Sequence, residues 1–329
     1  MARLKENKKV YVVILNYNCW KDTIECLESV LKSDYDNYQI IVVDNNSTDN
    51  SLSHIINWAE GKQGIKYTEN LSLESLIKPP TMKPSKYLFY TKEKEVDVVN
   101  PLVFIQSGEN RGFAAGNNIA LKYILANNND GYIWFLNPDT VIETHCIRGF
   151  VNKINNHNKV ILGSVIKYYK DPRRVLFYGG LRVHKLFHGI ERVVDRHNID
   201  KIDAISGASL FISVASVRQL GLLPEEYFMY WEEVHYCTQA KKMGYKFDIV
   251  EQESCYVYDK TGTNANSMYL KQYLYILNGL KYYRFFFSKR FSLIYFSCIL
   301  KYILAFVRSD ANTRKAIGNA LRDYALGGK

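Results

Sequence analysis

The sequence lacks the motifs that mark several common protein classes. None of its six cysteines lies in a CxxC pair or in zinc-finger spacing with histidine. This argues against a structural zinc site and indicates reduced thiols in a cytosolic protein. Neither GxGxxG nor GxxxxGK[ST] occurs, and no internal repeat is visible. A dinucleotide-binding enzyme, a P-loop enzyme and a repeat protein are therefore disfavoured.

Signals for export or for crossing a membrane are also weak. Residues 1–9 are charged and contain no apolar signal-peptide core, so we expect a cytoplasmic location. The apolar stretch Phe291–Val307 has 17 residues, whereas a spanning helix needs about 20. Its length and the flanking Lys289, Arg290 and Arg308 favour a helix lying in the membrane interface. An ordinary packing helix and a spanning segment are the alternatives.

Positive charge is concentrated near the end of the sequence. The 329 residues carry a net charge of +10, and 47% of them are hydrophobic, enough for one large domain with or without an appendage. Residues 271–329 contain eleven Lys or Arg and only two Asp, so the preceding residues are nearly neutral. Such asymmetry indicates contact with an anionic surface. Because this tail is also apolar, we expect lipid headgroups rather than nucleic acid.

Short apolar runs alternate with helical patterns in the first half of the sequence. This alternation predicts an α/β fold, with a mostly parallel sheet and helices on both faces. Residues 61–100 interrupt the rhythm and are predicted to be a surface insertion, and residues from 268 onward are helical by pattern. The predicted strands are 10–15, 40–43, Leu102–Gln106, Tyr132–Leu136, 178–188, 204–212, 245–250 and 255–258, and the predicted helices are Trp20–Leu31, Phe113–Asn127 and 232–243.

Polar residues follow each of the first four strands. The segments are Asn16-Tyr17-Asn18, Asp44-Asn45-Asn46, residues 107–110 and Asn137-Pro138-Asp139. In open α/β sheets, ligands bind in the crevice beyond the carboxyl ends of the strands. The four clusters therefore predict a single site at one edge of the sheet.

Two of the acidic segments suggest chemistry. Asp139 directly after a strand can hold a divalent ion that bridges a diphosphate, although Asn-Pro-Asp also forms ordinary turns and helix caps. Trp231-Glu232-Glu233 begins a predicted helix after an aromatic run. Two acids there can stabilise the helix dipole, or one of them can act as a general base beside an aromatic sugar platform.

Taken together, these segments resemble the family 2 glycosyltransferases, specifically a rhamnosyltransferase-like branch with a GT-A fold. The resemblance extends from about residue 10 to residue 263 and implies a GT-A domain over residues 1–265, followed by a basic aromatic helical tail over 266–329. The matching segments, in order, are VVILNYN (12–18), IIVVDNNSTDNS (40–51), ENRGFAAGNN (109–118), FLNPDT (135–140), SGASLFI (206–212), YFMYWEEV (227–234) and CYVYDKTG (255–262).

The resemblance also implies residue roles. Glu233 would be the catalytic base beside Glu232, and Asp139 and Asp259 would hold the metal. Gly207, Ala208 and Trp231 would line the acceptor side. The donor-binding residues would be Asn16, Asn18, Asp44, Asn46, Asn110, Asn117, Asn137 and Asp139.

Three positions depart from the family pattern. Asn137 replaces the first acid of the family's DxD element, and the acid pair is Glu-Glu where Glu-Asp or Asp-Asp is usual. Asp259 stands where the family often has a histidine as a late metal ligand. An additional carboxylate favours a hard ion, Mg²⁺ or Mn²⁺.

The resemblance implies a metal-dependent inverting glycosyltransferase of surface polysaccharide synthesis. The donor would be a nucleotide diphosphate sugar, with deoxythymidine diphosphate rhamnose as the leading candidate, and the acceptor a saccharide or lipid-linked saccharide. The enzyme would lie on the inner face of the membrane through its tail. One alternative is a sugar-phosphate nucleotidyltransferase, which would want a Gly-rich basic loop where this chain has Asn16-Tyr17-Asn18. The other is a catalytically inactive binding subunit of a polysaccharide-synthesis complex.

Overall fold

A computed structural model describes residues 8–64, 70–90, 101–127, 130–154, 159–251, 256–260, 268–307 and 311–327. The strands are β1 Val10–Asn16, β2 Tyr38–Asp44, β3 Tyr87–Tyr90, β4 Leu102–Gln106, β5 Tyr132–Leu136, β6 Thr140–Ile142, β7 Val160–Ser164, β8 Ile166–Tyr168, β9 Val175–Phe177, β10 Gly180–Val183, β11 Ile190–Arg192, β12 Ala204–Ile205, β13 Ser209–Ser213, β14 Lys246–Val250 and β15 Val257–Asp259. The α-helices are α1 Trp20–Leu31, α2 Ser51–Ala59, α3 Glu74–Ile77, α4 Phe113–Asn127, α5 Cys146–Ile154, α6 Val214–Leu220, α7 Glu232–Lys242, α8 Met268–Phe286, α9 Phe291–Val307 and α10 Ala311–Ala325.

The core is an eight-stranded sheet in the order β14-β7-β13-β5-β1-β2-β4-β3. Five consecutive residues of β1, from position 10 to position 14, are buried. Because neighbouring residues of a strand point to opposite faces, both faces of the sheet must be covered. This explains why the strand reads as a continuous apolar run instead of an alternating one.

One strand runs against the rest of the sheet. β13 pairs antiparallel with β5 on one side and with β7 on the other, whereas β1 pairs parallel with both β2 and β5. Two smaller sheets, in the orders β6-β15-β8-β9 and β11-β10-β12, accompany the main sheet. The carboxyl ends of β1, β2, β4 and β5 therefore meet at one edge, as the polar clusters predicted.

Most predicted elements are present, but two predicted strands are interrupted. Of residues 178–188, only Gly180–Val183 form a strand. Gly179 before it has a φ of 59° and lies against the Ser164 carbonyl, where a side chain would not fit, and residues 184–188 form the turn that leads to β11. Residues 204–212 divide into β12 and β13 at a turn that contains Gly207. Part of the predicted strand 255–258 lies outside the described residues, since β15 begins at Val257.

The predicted insertion contributes to the body in the parts that are described. β3 is the edge strand of the main sheet and pairs parallel with β4. The buried Glu28 of α1 accepts hydrogen bonds from Trp58, from the backbone of Thr81 and from Lys83 at 2.8 to 3.1 Å. One buried carboxylate therefore ties α1, α2 and the insertion together.

The tail forms three helices that pack on one another and on the body. Ile276 and Leu280 of α8, Cys298 of α9 and Ile317 of α10 share a small apolar cluster. The predicted domain boundary at 265/266 lies outside the described residues. Among the helices of the described residues, none is long and apolar enough to cross a membrane. Five cysteines are described, at positions 19, 26, 146, 237 and 298, and all are free thiols.

Candidate active site

Asp44 is the centre of a hydrogen-bonded cluster at the ends of β1, β2 and β4. Its carboxylate is buried and accepts from Asn16 Nδ2 at 2.6 Å and from Ser47 Oγ at 2.6 Å. The Ser47 backbone N–H at 3.1 Å and Gln106 Nε2 at 3.0 Å donate to its other oxygen. Both oxygens are thus used within the protein, and the carboxylate fixes the positions of three strand ends.

Asn18 and Asn46 shape the two loops beside Asp44. Their φ angles are 53° and 60°, in the left-handed region that asparagine adopts more readily than most residues. The Asn18 carboxamide accepts the Thr48 backbone N–H at 2.8 Å, which joins the loop after β1 to the loop after β2. Asn46 is exposed at the same edge. Both predicted donor residues therefore lie at the surface of this cluster.

Asn110 and Asn117 lie at the start of α4. The Asn110 side-chain oxygen accepts from Asn45 Nδ2 at 2.9 Å and from the Gly112 N–H at 3.0 Å. Gly112 has a φ of 93°, and its Cα lies so close to the Phe228 carbonyl that a side chain would not fit. Asn117 is buried and donates to the Phe113 carbonyl at 2.9 Å. This turn therefore brings α4 against the loop that leads into α7.

Asp139 and Asp259 are brought together by strand pairing. Asp259 pairs with Thr140 between β15 and β6, and the Lys260 N–H donates to the Asp139 carbonyl at 3.0 Å. Burial, and after it the negative charge of Asp22, raise the pKa of Asp139, while Lys260 opposes the shift. The sequence analysis missed Asp22, although its place in the first turn of α1 just after a strand-end loop was a usable signal.

Lys260 is the counter-charge of this acidic group. Its Nζ donates to Asp22 at 2.9 Å and also to Glu25, and the Tyr169 hydroxyl donates to Glu25 at 2.7 Å. Lys260 and Glu25 are both buried. The network holds α1 against the end of β15 and sets the position of Asp22 relative to Asp139.

These carboxylates have the chemistry that a hard divalent cation requires. Asp139 lies near Asp22 and next to the strand pair of Asp259 with Thr140, and a cation there would offset the burial and the negative charge of Asp22, which both raise the pKa of Asp139. Within the described residues, no group of three or more His, Cys, Asp or Glu side chains is arranged to hold a metal alone. A cation at Asp139 would therefore take further oxygen ligands from a diphosphate and from water.

Glu232 and Glu233 begin α7 after two residues in an unusual conformation. Tyr230 and Trp231 have φ angles of 69° and 76°, which cost roughly 1–3 kcal/mol each for residues other than glycine. Among the described residues, one buried oxygen of each glutamate has no hydrogen-bond partner. Burial raises the pKa of both carboxyls, and the charge of Glu233 raises the pKa of Glu232 further, well above its usual range.

A short turn connects this pair with the Asp139 loop. Gly207 lies beside the Glu233 side chain, since a Cβ on Gly207 would be 3.9 Å from the Glu233 Cβ, and its backbone N–H opposes the rise in the pKa of Glu233. The next residue, Ala208, accepts the Asn137 backbone N–H at 3.1 Å. The turn at 206–208 therefore joins the predicted base to the predicted metal loop, and the predicted acceptor residues Gly207 and Ala208 lie between them.

Trp231 has a different environment from the other predicted acceptor residues. Its indole is completely buried, and its Nε1 donates to the Tyr275 carbonyl of α8 at 2.8 Å. Tyr282 and Tyr283 of α8 pack against its ring with centroid distances of 5.0 and 5.3 Å. The ring therefore packs against the tail and presents no face to solvent.

A cavity of about 700 Å³ adjoins the Asp44 cluster on the β4 side. Asn45 and Gln106 contribute to both the cavity and the cluster, and Arg111, Lys122 and Glu225 lie at the cavity surface. None of the predicted donor residues lines it. The cavity is therefore next to the predicted site and distinct from the turn that joins Glu233 to the Asp139 loop.

The chain matches the family model described as Glycosyl transferase family 2 over residues 11–71 and 94–213, more than half of its length. The matched ranges contain Asp44, Asn117, Asp139 and Gly207, and they end before Glu233. Among curated proteins, the chain is 29% identical over 150 residues to the low-salt glycan biosynthesis hexosyltransferase Agl10 of Haloferax volcanii. This match covers 42% of the chain and 46% of the relative, so the chain matches about half of that protein's length.

Solved structures share the fold at low sequence identity. The mannosyltransferase PcManGT from Pyrobaculum calidifontis, solved with GDP-Man and Mn²⁺, is 15% identical with a TM-score of 0.54, over 98% of this chain and 76% of that one. GalNAc-T7, solved with UDP, GalNAc and Mn²⁺, is 15% identical with a TM-score of 0.56, over 84% and 48%. Residues 1–349 of TarS from S. aureus are 16% identical with a TM-score of 0.50, over 97% and 92%.

These findings confirm the predicted family and the GT-A-like fold. The rhamnosyltransferase-like branch and the roles of the individual site residues stay predictions, because none of the comparisons distinguishes them. From the family match, the chain belongs to glycosyl transferase family 2.

Proposed function

We propose that the protein transfers a sugar from a nucleotide diphosphate sugar to a hydroxyl of a saccharide or lipid-linked saccharide, with inversion at the anomeric carbon. The observation that carries this proposal is the Glu233 carboxylate. It lies beside Gly207, keeps one buried oxygen without a partner among the described residues, and is connected through the 206–208 turn to the Asp139 loop. This arrangement suits a single displacement at the anomeric carbon, because a proton acceptor lies on one side of the turn and an acidic loop that could bind a metal ion lies on the other.

In this proposal Glu233 removes the proton from the acceptor hydroxyl. Its open oxygen is free to accept a hydrogen bond, and burial raises its pKa, which makes the ionised form a stronger base. Glu232 is the less suitable of the pair because it is more deeply buried. Attack by the activated hydroxyl on the face opposite the leaving diphosphate would invert the anomeric carbon.

The metal proposal rests on the Asp139 loop. Asp139, with Asp259 beside it, would hold Mg²⁺ or Mn²⁺, and Asp22 adds to the negative potential there. When bound, the ion would neutralise the charge of the leaving diphosphate. Two structures of similar fold contain Mn²⁺ together with a nucleotide or nucleotide sugar, which supports the assignment.

For the donor sugar, we propose a hexose, with L-rhamnose as the leading candidate. The curated relative is named a hexosyltransferase of glycan biosynthesis, which supports a hexose donor and a glycan product. Rhamnose rests on the resemblance of the motifs to the rhamnosyltransferase-like branch. We propose a role in surface polysaccharide synthesis at the cytoplasmic face of a membrane, where a lipid-linked acceptor would be available.

The test begins with a thermal-shift screen of the full-length protein against nucleotide diphosphate sugars with Mn²⁺, followed by assays of donor hydrolysis and transfer. Calorimetry then compares Asp139→Ala with Asp200→Ala, an exposed acid that lies elsewhere. We expect Asp139→Ala to lose metal-dependent binding of the nucleotide diphosphate while its unfolding temperature stays close to that of the wild type. Wild-type affinity in Asp139→Ala would refute the metal assignment. Absence of both hydrolysis and transfer with every donor would instead support an inactive binding subunit.

A further inference from the structure

The outer face of α9 is an exposed apolar stripe. Six large apolar side chains on it are between 45% and 79% exposed. At 100° per residue, they fall within an arc of about 100° on the helix surface. The residues of this stripe are Leu293, Phe296, Leu300, Ile303, Leu304 and Val307.

The inner face of the same helix is apolar as well. Ile294, Cys298 and Ala305 are buried, and Cys298 belongs to the cluster that α9 forms with α8 and α10. A helix that is apolar on every side is normally covered on every side. Surface apolar residues are common singly, but a contiguous stripe marks an interaction surface.

The charged residues of α8, of α9 and of the segment between them are all cationic. Residues 268–307 contain six Lys or Arg and no Asp or Glu. Arg284, Lys289 and Arg290 are exposed on the segment that leads into α9. A second copy of this chain on the same stripe would bring these like charges together across a symmetric interface. An anionic lipid bilayer has an apolar interior and negative headgroups, so it matches both the apolar stripe and the positive charge beside it.

The tip of the β10–β11 hairpin extends the surface. Leu186 is 60% exposed and Phe187 is 47% exposed. The neighbouring His188 fixes the tip to α9, because its N–H donates to Ser297 Oγ at 2.9 Å and its carbonyl accepts from Lys301 Nζ at 2.6 Å. The apolar surface is therefore wider than a single helix.

The dimensions of α9 favour lying along a bilayer over crossing it. Seventeen residues extend for about 25 Å at 1.5 Å per residue, shorter than a hydrocarbon core of about 30 Å. Side chains at the headgroup boundary need only about 5–10 Å of depth. We propose that the outer face of α9 and the tip at Leu186 and Phe187 dock on an anionic lipid bilayer, with the helix axis parallel to the membrane.

This docking surface is close to the candidate active site through α8. Trp231 Nε1 donates to the Tyr275 carbonyl, and Asn278 Nδ2 donates to the Met229 carbonyl at 2.8 Å. The turn that precedes Glu233 is thus attached to the helix on which α9 packs. If the proposed function holds, docking would keep the base near lipid-linked acceptors. Docking itself does not depend on sugar transfer.

The test measures binding of the full-length protein to vesicles in the absence of substrate. One set contains phosphatidylglycerol mixed with phosphatidylcholine, and the other contains phosphatidylcholine alone. We expect binding to the anionic set that weakens with added salt. The double variant Leu300→Gln/Ile303→Gln should bind about 100-fold more weakly, because losing the apolar burial of each side chain lowers the affinity roughly tenfold. The double variant Lys289→Ala/Arg290→Ala should lose about 10- to 30-fold in affinity for the anionic vesicles, because each removed charge lowers the affinity roughly fivefold.

Matched controls separate the docking surface from general effects. Met82→Gln replaces an apolar side chain that is 93% exposed on the body, and Lys62→Ala/Arg173→Ala removes two exposed charges there. Both controls should bind vesicles like the wild type. Failure of the wild type to bind anionic vesicles would overturn the proposal. So would a concentration-dependent dimer that Leu300→Gln/Ile303→Gln dissociates, because the stripe would then be a protein interface. Neither result would affect the transfer assay with a soluble acceptor.

Discussion

Two groups of buried acids in the candidate site have opposite environments. Asp44 accepts four hydrogen bonds from Asn16, Ser47 and Gln106, which use both of its oxygens. Glu232 and Glu233 each keep one buried oxygen without a partner among the described residues, and they follow two strained residues. A satisfied buried carboxylate stabilises local structure, whereas an unsatisfied one costs about 1–3 kcal/mol. The difference indicates that Asp44 positions the loops, and it supports the proposal that the glutamate pair takes part in the chemistry.

The largest expected effect is on the chemical step. Glu233→Gln keeps the size of the side chain but cannot accept a proton. A general base contributes roughly 10²- to 10⁴-fold, so we expect turnover to fall by about that factor while donor affinity stays unchanged. Kinetics with saturating donor measure the first quantity, and calorimetry the second. Glu232→Gln is the matched control, and we expect a smaller loss of turnover. A dead Glu232→Gln beside an active Glu233→Gln would reverse the two roles.

The second effect is on stability, and it should appear at Asp44. Asp44→Ala leaves the side chains of Asn16, Ser47 and Gln106 without their buried acceptor. We expect a loss of about 3 kcal/mol in the free energy of unfolding, measured by urea denaturation. Asp49→Ala serves as the control because Asp49 is exposed and, among the described residues, accepts hydrogen bonds from Ser51 alone. If the two variants lose the same free energy, the Asp44 network does not have the structural role described here.

The third and smallest expected effect is a gain in stability, and it should appear at Glu232. Folding disfavours the ionised form of Glu232, and Glu232→Gln cannot ionise, so we expect this substitution to stabilise the protein by about 1–2 kcal/mol at neutral pH. Burial raises the pKa of Glu232, so its ionised form is the costly one in the folded state. The advantage of the glutamine should therefore shrink as the pH falls and Glu232 takes up a proton. Thermal unfolding across pH measures this, and destabilisation at neutral pH would contradict it.

The sequence alone predicted the strand ends well because their signal is local. β4, β5, α1 and α4 have the predicted bounds, since long apolar runs and helical spacing are properties of neighbouring residues. The contacts within the site were not predictable in the same way. Gln106 on Asp44 and Lys260 on Asp22 join residues that are 62 and 238 positions apart. Only the completed fold brings such pairs together.

The tail illustrates the same limit. Its helical pattern predicted α9 with correct bounds, yet the pattern could not reveal which side would be covered, because both sides are apolar. The burial of Trp231 against Tyr275 was also unpredictable, since it depends on how α8 packs on the turn before α7. An aromatic residue beside an acid pair has the same sequence signal whether it faces a ligand or a helix.

The most direct test of the contrast between Asp44 and the glutamate pair is the pH dependence of the single-turnover rate constant. Burial raises the pKa of Glu233, so the wild-type rate should rise with pH through an apparent pKa above the usual range of a glutamate, as the base loses its proton. Glu233→Gln should be slow at every pH and should lack this rise. Retention of the same pH-dependent rise in Glu233→Gln would show that another group accepts the proton, and it would contradict the account.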